Sequence, residues 1–230
     1  MFVKICGITS EEDALLAVAV GADAVGFILA PSKRQVSPAR AADIMKRLPR
    51  EILTVGVFRN ETPDRIRAIV NKSGLQAVQL HGAETPAVVE EVKRDVRTVF
   101  KAVAAGTEAF EHADDFGADA VLVDSPTPGS GQVFDWRLAE DAPAGVPLIL
   151  AGGLDPANVS DAIAKVRPWG VDVASGVERA PGVKDPVLVR QFVQAARAAE
   201  VGPPVDAPPA DSAASFGPEP YDWREDATWR

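Results

Sequence analysis

From Val3 to Ala198 the chain repeats one pattern: a short β-branched apolar run, a polar or glycine turn, then an amphipathic stretch of helical period. Eight runs predict strands at Phe2–Cys6, Asp23–Leu29, Ile52–Phe58, Ala77–His81, Arg97–Val103, Asp119–Asp124, Val146–Gly152 and Gly170–Ala174. Most are near-continuous apolar runs, as expected for parallel strands covered on both faces. Helix starts are written between them as Ser37-Pro38, Thr62-Pro63, Thr85-Pro86, Asp155-Pro156 and Asp185-Pro186. In each pair the first side chain can cap orphan N–H groups, and proline at the next position gives up only a donor without an intrahelical partner. Thr9-Ser10-Glu11-Glu12 fits a capping box. The sixth unit is weakest, with a short helix expected within Phe134–Glu140.

A faint repeat runs through these units. Gly21-Ala22-Asp23-Ala24-Val25 returns as Gly117-Ala118-Asp119-Ala120-Val121, four units later, and Gly74 and Gly170 open looser copies. These glycines suit the position just past a helix, where φ is often positive. Eight alternating units with a half-length echo predict a closed (βα)8 barrel over residues 1–200. An open doubly wound sheet would more often use five or six strands. The last segment, 201–230, holds six of the 19 prolines and a surplus of acids, the composition of a disordered tail.

With 230 residues, 47% of them hydrophobic, the chain can fill one large core. A net charge of −9 argues against nucleic acid or an anionic membrane surface as partner. No apolar run approaches the ~20 residues of a bilayer span, and no signal peptide is evident. With a single cysteine, these features point to a reducing, cytoplasmic setting.

In a barrel of this kind the active site forms at the C-terminal strand ends. Cys6 ends the first strand and Asp124 the sixth, a possible base and acid facing one cavity. Lys4 lies on the same side of the first strand as Cys6 and would add positive potential. Each has a plainer reading: a free cysteine is often a small buried hydrophobe, and a strand-end Asp often opens a turn. Arg34, in PSKRQVSP, could grip a carboxylate through its planar fork or be solvated loop charge. Gly152-Gly153 and Ser175-Gly176 are either tight turns or a phosphate cradle after strands seven and eight. His81 is a structural residue or an acid–base group, and His112 belongs to a surface helix. No metal-ligand spacing, P-loop, dinucleotide fingerprint or serine elbow is present.

The ordered set VKICGIT, GADAVGFI, SKRQVSP, VGVF, AVQLHG, VLVD, FDW, AGGL and VDVASGVE…PGVKD resembles the phosphoribosylanthranilate isomerase family of tryptophan biosynthesis, from Val3 to about Ala198. The resemblance implies a (βα)8 barrel and a cofactor-free, metal-free Amadori rearrangement of a small phosphorylated substrate. The chain is expected to act as a monomer or homodimer, the sequence leaving both open. The resemblance also implies Cys6 as general base, Asp124 as general acid and Arg34 as anchor of the substrate carboxylate. Gly152, Gly153, Ser175 and Gly176 would bind phosphate. Read from the residues alone, Lys4 and a tautomer-locked His81 would stand behind the reacting groups. Gln35 departs from the family where an aromatic is common, and Ala151 and Ala174 stand where serine is frequent. Two other readings stay open: a different sugar-phosphate barrel enzyme, or a binding barrel without catalysis.

Overall fold

A computed structural model describes residues 1–125, 136–139 and 145–199. The apolar runs form β1 (Phe2–Cys6), β2 (Ala24–Ile28), β3 (Leu53–Phe58), β4 (Ala77–Leu80), β5 (Thr98–Ala104), β6 (Ala120–Asp124), β7 (Leu148–Leu150) and β8 (Gly170–Val173). All pair in parallel, and β8 returns to β1 with Lys4 opposite Asp172, closing an eight-strand barrel. The helices are α1 (Glu11–Ala19), α2 (Pro38–Met45), α3 (Pro63–Ser73), α4 (Pro86–Lys93), α5 (Glu108–Glu111), α6 (Val159–Val166) and α7 (Pro186–Ala198). A short hairpin, β9 (Glu178–Ala180) with β10 (Val183–Lys184), follows β8 and has no counterpart in the predicted strands. In the sixth unit Trp136–Ala139 forms a 3-10 turn. The expected tail lies outside the described residues, as do the other residues of the Phe134–Glu140 stretch.

Period-two alternation sorts each strand between two cores. One face packs on the helices. The other fills the barrel with Ala24, Leu53, Val55, Ala77, Phe100, Leu122 and Ile149, and Phe2 and Trp169 pack against that cluster. Phe2 stacks on Trp169 at 4.6 Å between ring centres. Interior side chains of this size make a solid floor, so the open end is the one carrying Cys6 and Asp124.

Several signals act as read. Ser37 and Thr62 cap their helices by accepting from Arg40 N and Arg65 N, and Asp185 accepts from Val187 N and Leu188 N. The cap sits one residue later than the expected capping box: Ser10 caps α1 by accepting from Asp13 N, Thr9 donates to Gly182 O, and the Asp13 carboxylate accepts from Lys184 N instead of completing a box. Asp155-Pro156 does not start α6. Asp155 instead accepts from Ala157 N and Asn158 N, making a turn that delays the helix to Val159.

The repeat has a physical meaning. Asp23 accepts from Val3 N at 2.7 Å and pairs with Arg197; Asp119 accepts from Val99 N at 2.7 Å and pairs with Lys93. Gln76 does the same for Thr54 N at 2.9 Å. Each stitches the start of one strand to its neighbour. The Gly170 copy is misaligned. Gly170 lies within β8, pressed against Phe2, and Arg167 takes the left-handed position after α6 at φ 51°.

Candidate active site

The open end of the barrel carries four groups of polar side chains. On β1, Lys4 and Cys6 share the inner face. A methyl group at Gly26 would come within 2.8 Å of Cys6 Sγ and 3.1 Å of Lys4 Nζ, so glycine on β2 makes room for both. Lys4 is fully buried and pairs with Asp172 at 2.8 Å. Burial works against the Lys4 ammonium, but Asp172 and Cys6 outweigh it and hold its pKa above the ordinary value. For Cys6 burial wins: the thiol is pushed up, against the opposing pull of Lys4. Lys4 therefore stands where the alternation put it, yet in the free protein it does not make Cys6 a ready thiolate.

Arg34 lies beside Gly7, whose missing side chain leaves space for the arginine Cδ. Its guanidinium is gripped along one edge by Glu178, with Nε–Oε1 at 2.8 Å and Nη2–Oε2 at 2.8 Å. Glu178 also accepts from Lys184 Nζ at 3.0 Å, and Lys184 donates to Ala174 O at 2.9 Å. Burial would raise the Glu178 carboxyl, but its bonds from Arg34 and Lys184 hold it below the usual range. Burial lowers Lys184. The hairpin β9–β10 thus carries two charges that aim a third. A guanidinium has two edges suited to a carboxylate, and the edge that Glu178 does not take is the one a ligand can use.

Asp124 closes β6, mostly buried. Its Oδ1 accepts from Ser125 N at 2.7 Å, and its Oδ2 lies 3.3 Å from His81 Nε2. His81 Nδ1 is 2.9 Å from Gln79 Nε2. Behind this loop Lys101 points out of the barrel. It donates to Gly82 O at 2.7 Å and pairs with Glu84 at 3.0 Å, while Glu84 accepts from Asn60 N and Gly82 N. Burial lowers Lys101; Glu84, raised by burial but bonded by Asn60 N and Lys101, ends below its usual range. This pair fastens the turn that carries His81.

The glycine turns meet as expected. Gly152 and Gly153 both have positive φ, at 81° and 69°. A methyl group at Gly152 would strike Ser125 N and Asp124 Oδ1, and one at Gly176 would strike Leu154 O. The turns after β7 and β8 therefore touch one another and abut Asp124. Ser175–Val177 is a 3-10 turn, and Asn158 braces the first loop by donating to Gly153 O at 2.9 Å. His112 is exposed and away from these groups, near Asp115 on the surface. Among the described residues no three His, Cys, Asp or Glu side chains are grouped as a metal site requires, and no helix is long and apolar enough to cross a membrane.

The family model described as N-(5'-phosphoribosyl)anthranilate (PRA) isomerase matches residues 3–195. The chain belongs to the phosphoribosylanthranilate isomerase family. It is an isomerase of this family. An N-(5'-phosphoribosyl)anthranilate isomerase from Desulforudis audaxviator is 46% identical over 201 residues, covering 86% of this chain and 98% of that one. The solved isomerase from Thermus thermophilus superposes with a TM-score of 0.80 at 40% identity, over 86% of this chain and 99% of the other. A further family structure, in complex with reduced 1-(o-carboxyphenylamino)-1-deoxyribulose 5-phosphate, gives 0.76 at 41% identity with the same coverage.

Glu178, Lys184, Asp172, Glu84, Lys101 and Gln79 were not singled out from sequence. Glu178 and Lys184 stand inside the quoted VE…PGVKD segment, and Gln79 inside AVQLHG; a charged or amide side chain in an otherwise apolar family motif was the available signal.

Proposed function

We propose that the chain converts N-(5-phosphoribosyl)anthranilate to 1-(2-carboxyphenylamino)-1-deoxyribulose 5-phosphate in tryptophan biosynthesis, with Cys6 as general base and Asp124 as general acid. The observation that carries this reading is the order of groups round one barrel mouth. Arg34 lies against Gly7, next to Cys6, with one guanidinium edge untaken among the described residues, and the paired glycine turns abut Asp124. A substrate with a carboxylate at one end and a phosphate at the other would be held at both, with its ribose between thiol and carboxyl.

Asp124 gives its proton to the ring oxygen. The C1′–O bond breaks, and the nitrogen lone pair forms a cationic C=N bond. That cation acidifies the neighbouring C2′–H, and the Cys6 thiolate takes the proton. The resulting enolamine tautomerises to the aminoketone, so substrate and product are isomers. The cationic imine also supplies positive charge beside Cys6, offsetting the burial that pushes the thiol up. Arg34 binds the anthranilate carboxylate, and backbone N–H groups of Gly152, Gly153, Ser175 and Gly176 cradle the phosphate.

Steady-state turnover of wild type, Cys6→Ala and Asp124→Asn tests the assignment. Each variant should lose about 10²–10⁴-fold in kcat. Near-normal turnover in either one removes that residue from its role.

A further inference from the structure

The side of the site around Asp124 contains a residue that the proposed chemistry does not use. Gln79 lies on the inner face of β4, 1% exposed, with its amide nitrogen 2.9 Å from His81 Nδ1. Its amide oxygen is buried and has no hydrogen-bond partner among the described residues. A buried orphan of this kind costs about 1–3 kcal/mol whichever end of the amide is left over, so the orientation is decided by the partner that the other end faces.

The ring between Gln79 and Asp124 supplies the reason. An amide NH₂ can only donate, so the Nδ1 it faces must carry a lone pair. A neutral His81 then has its proton on Nε2, and Nε2 faces Asp124 Oδ2 at 3.3 Å. For neutral His81 beside an ionised Asp124, this is the arrangement in which every facing pair has one donor and one acceptor. Turning the amide would set oxygen against Nδ1 and force the proton there, leaving the Nε2 lone pair against a carboxylate. The backbone around the ring is fixed: His81 N donates to Phe58 O, and Lys101 and Glu84 hold Gly82.

We infer that Gln79 is a positioning residue that holds His81 as its Nε2–H tautomer, so that His81 donates to Asp124 when that carboxyl gives up its proton. Ser125 N–H meets the other oxygen at 2.7 Å, so the carboxylate left after proton transfer is received by two donors. Hydrogen bonds to the charged form favour its formation, and donors aimed at developing charge are worth most inside a dry site. The kinetic part of this inference rests on Asp124 being the acid; the tautomer does not.

The chain has two histidines, and His112 is exposed, so ring ¹⁵N–¹H correlation spectra of the ¹⁵N-labelled full chain carry one signal set of interest and one internal control. Wild type should show His81 protonated at Nε2 with a pyridine-type Nδ1. Asp124→Asn should keep that tautomer, because Gln79 sets it. Gln79→Leu should lose it, leave His112 unchanged, and reduce kcat about ten- to a hundredfold with KM nearly constant. In an Asp124→Asn background Gln79→Leu should have no further effect on kcat. An Nδ1–H or doubly protonated His81 in wild type, or a tautomer switch in Asp124→Asn, overturns the inference without needing a folded Gln79 variant. So does a Gln79→Leu protein with altered tautomer and unchanged kcat. Full turnover by Asp124→Asn alone would instead remove the acid from its role and leave the tautomer assignment standing.

Discussion

Glu178 holds Arg34 by one edge of its guanidinium, with both carboxylate oxygens engaged and Lys184 bonded behind them. Arg34 is thereby aimed before any ligand arrives. Among the described residues Glu178 takes only one edge, which leaves the other for the carboxylate of the proposed substrate.

Glu178→Gln should therefore weaken substrate binding more than chemistry. KM should rise about tenfold, the worth of roughly one charge-assisted hydrogen bond, with kcat little changed. The same variant leaves Lys184, whose side chain is fully buried, without its counter-charge. Thermal or urea unfolding should show a loss of about 3 kcal/mol. An unchanged KM would mean that Arg34 is aimed by other contacts.

Two carboxyls inside the fold give its stability an acid limb. Glu84 and Glu178 are held below the ordinary value of 4.5 in the folded chain. A depressed folded pKa gives stability that is present at neutral pH and lost as the pH falls from about the ordinary value through the folded one. The urea midpoint should drop on acidification below pH 4.5, and the drop should be shallower in Glu84→Gln. A Glu84→Gln curve as steep as wild type would show that this carboxyl does not contribute to the acid limb.

Cys6 is the sole cysteine, so its ionisation can be followed without ambiguity. Burial pushes the thiol above the ordinary 9.0. Alkylation of the ligand-free protein by iodoacetamide should be slow at neutral pH, with an inflection above 9.0. An inflection at or below 9.0 would show that Lys4 outweighs burial.

Gly26→Ala tests the packing around Cys6. The added methyl would lie 2.8 Å from Cys6 Sγ and 3.1 Å from Lys4 Nζ, so the thiol must shift. A misplaced reacting group can cost about 10²-fold in kcat. Gly176→Ala should act differently, raising KM, because its methyl would collide with Leu154 O and deform the paired glycine turns.

The strands were legible because a barrel covered on both faces writes them as apolar runs, and the caps at Ser37, Thr62 and Asp185 because such residues before proline suit a helix start; Thr85 precedes Pro86 in the same way but makes no side-chain cap. Where reading failed, a longer-range contact decided. Gly170 resembles the helix-ending glycines, but the packing of Phe2 on it fixes its role. The start of α6 moved because Asp155 caps a turn fastened to Asn158. Period two placed Lys4 beside Cys6, yet nothing local announces Asp172, 168 residues away, which shares its charge. Lys101 is the clearest case: a lysine in an apolar strand is unreadable until Glu84 and the Gly82 carbonyl are brought behind it.

In the proposed reaction Cys6 removes a proton during isomerisation of phosphoribosylanthranilate. Single-turnover decay of anthranilate-type fluorescence, on mixing excess protein with freshly generated substrate, measures it most directly when wild type is run beside Cys6→Ala. Rapid decay in wild type and its loss in a folded Cys6→Ala protein is the predicted result. Equal decay in both would remove Cys6 from the chemistry, and no decay in folded wild type would contradict the proposed reaction itself.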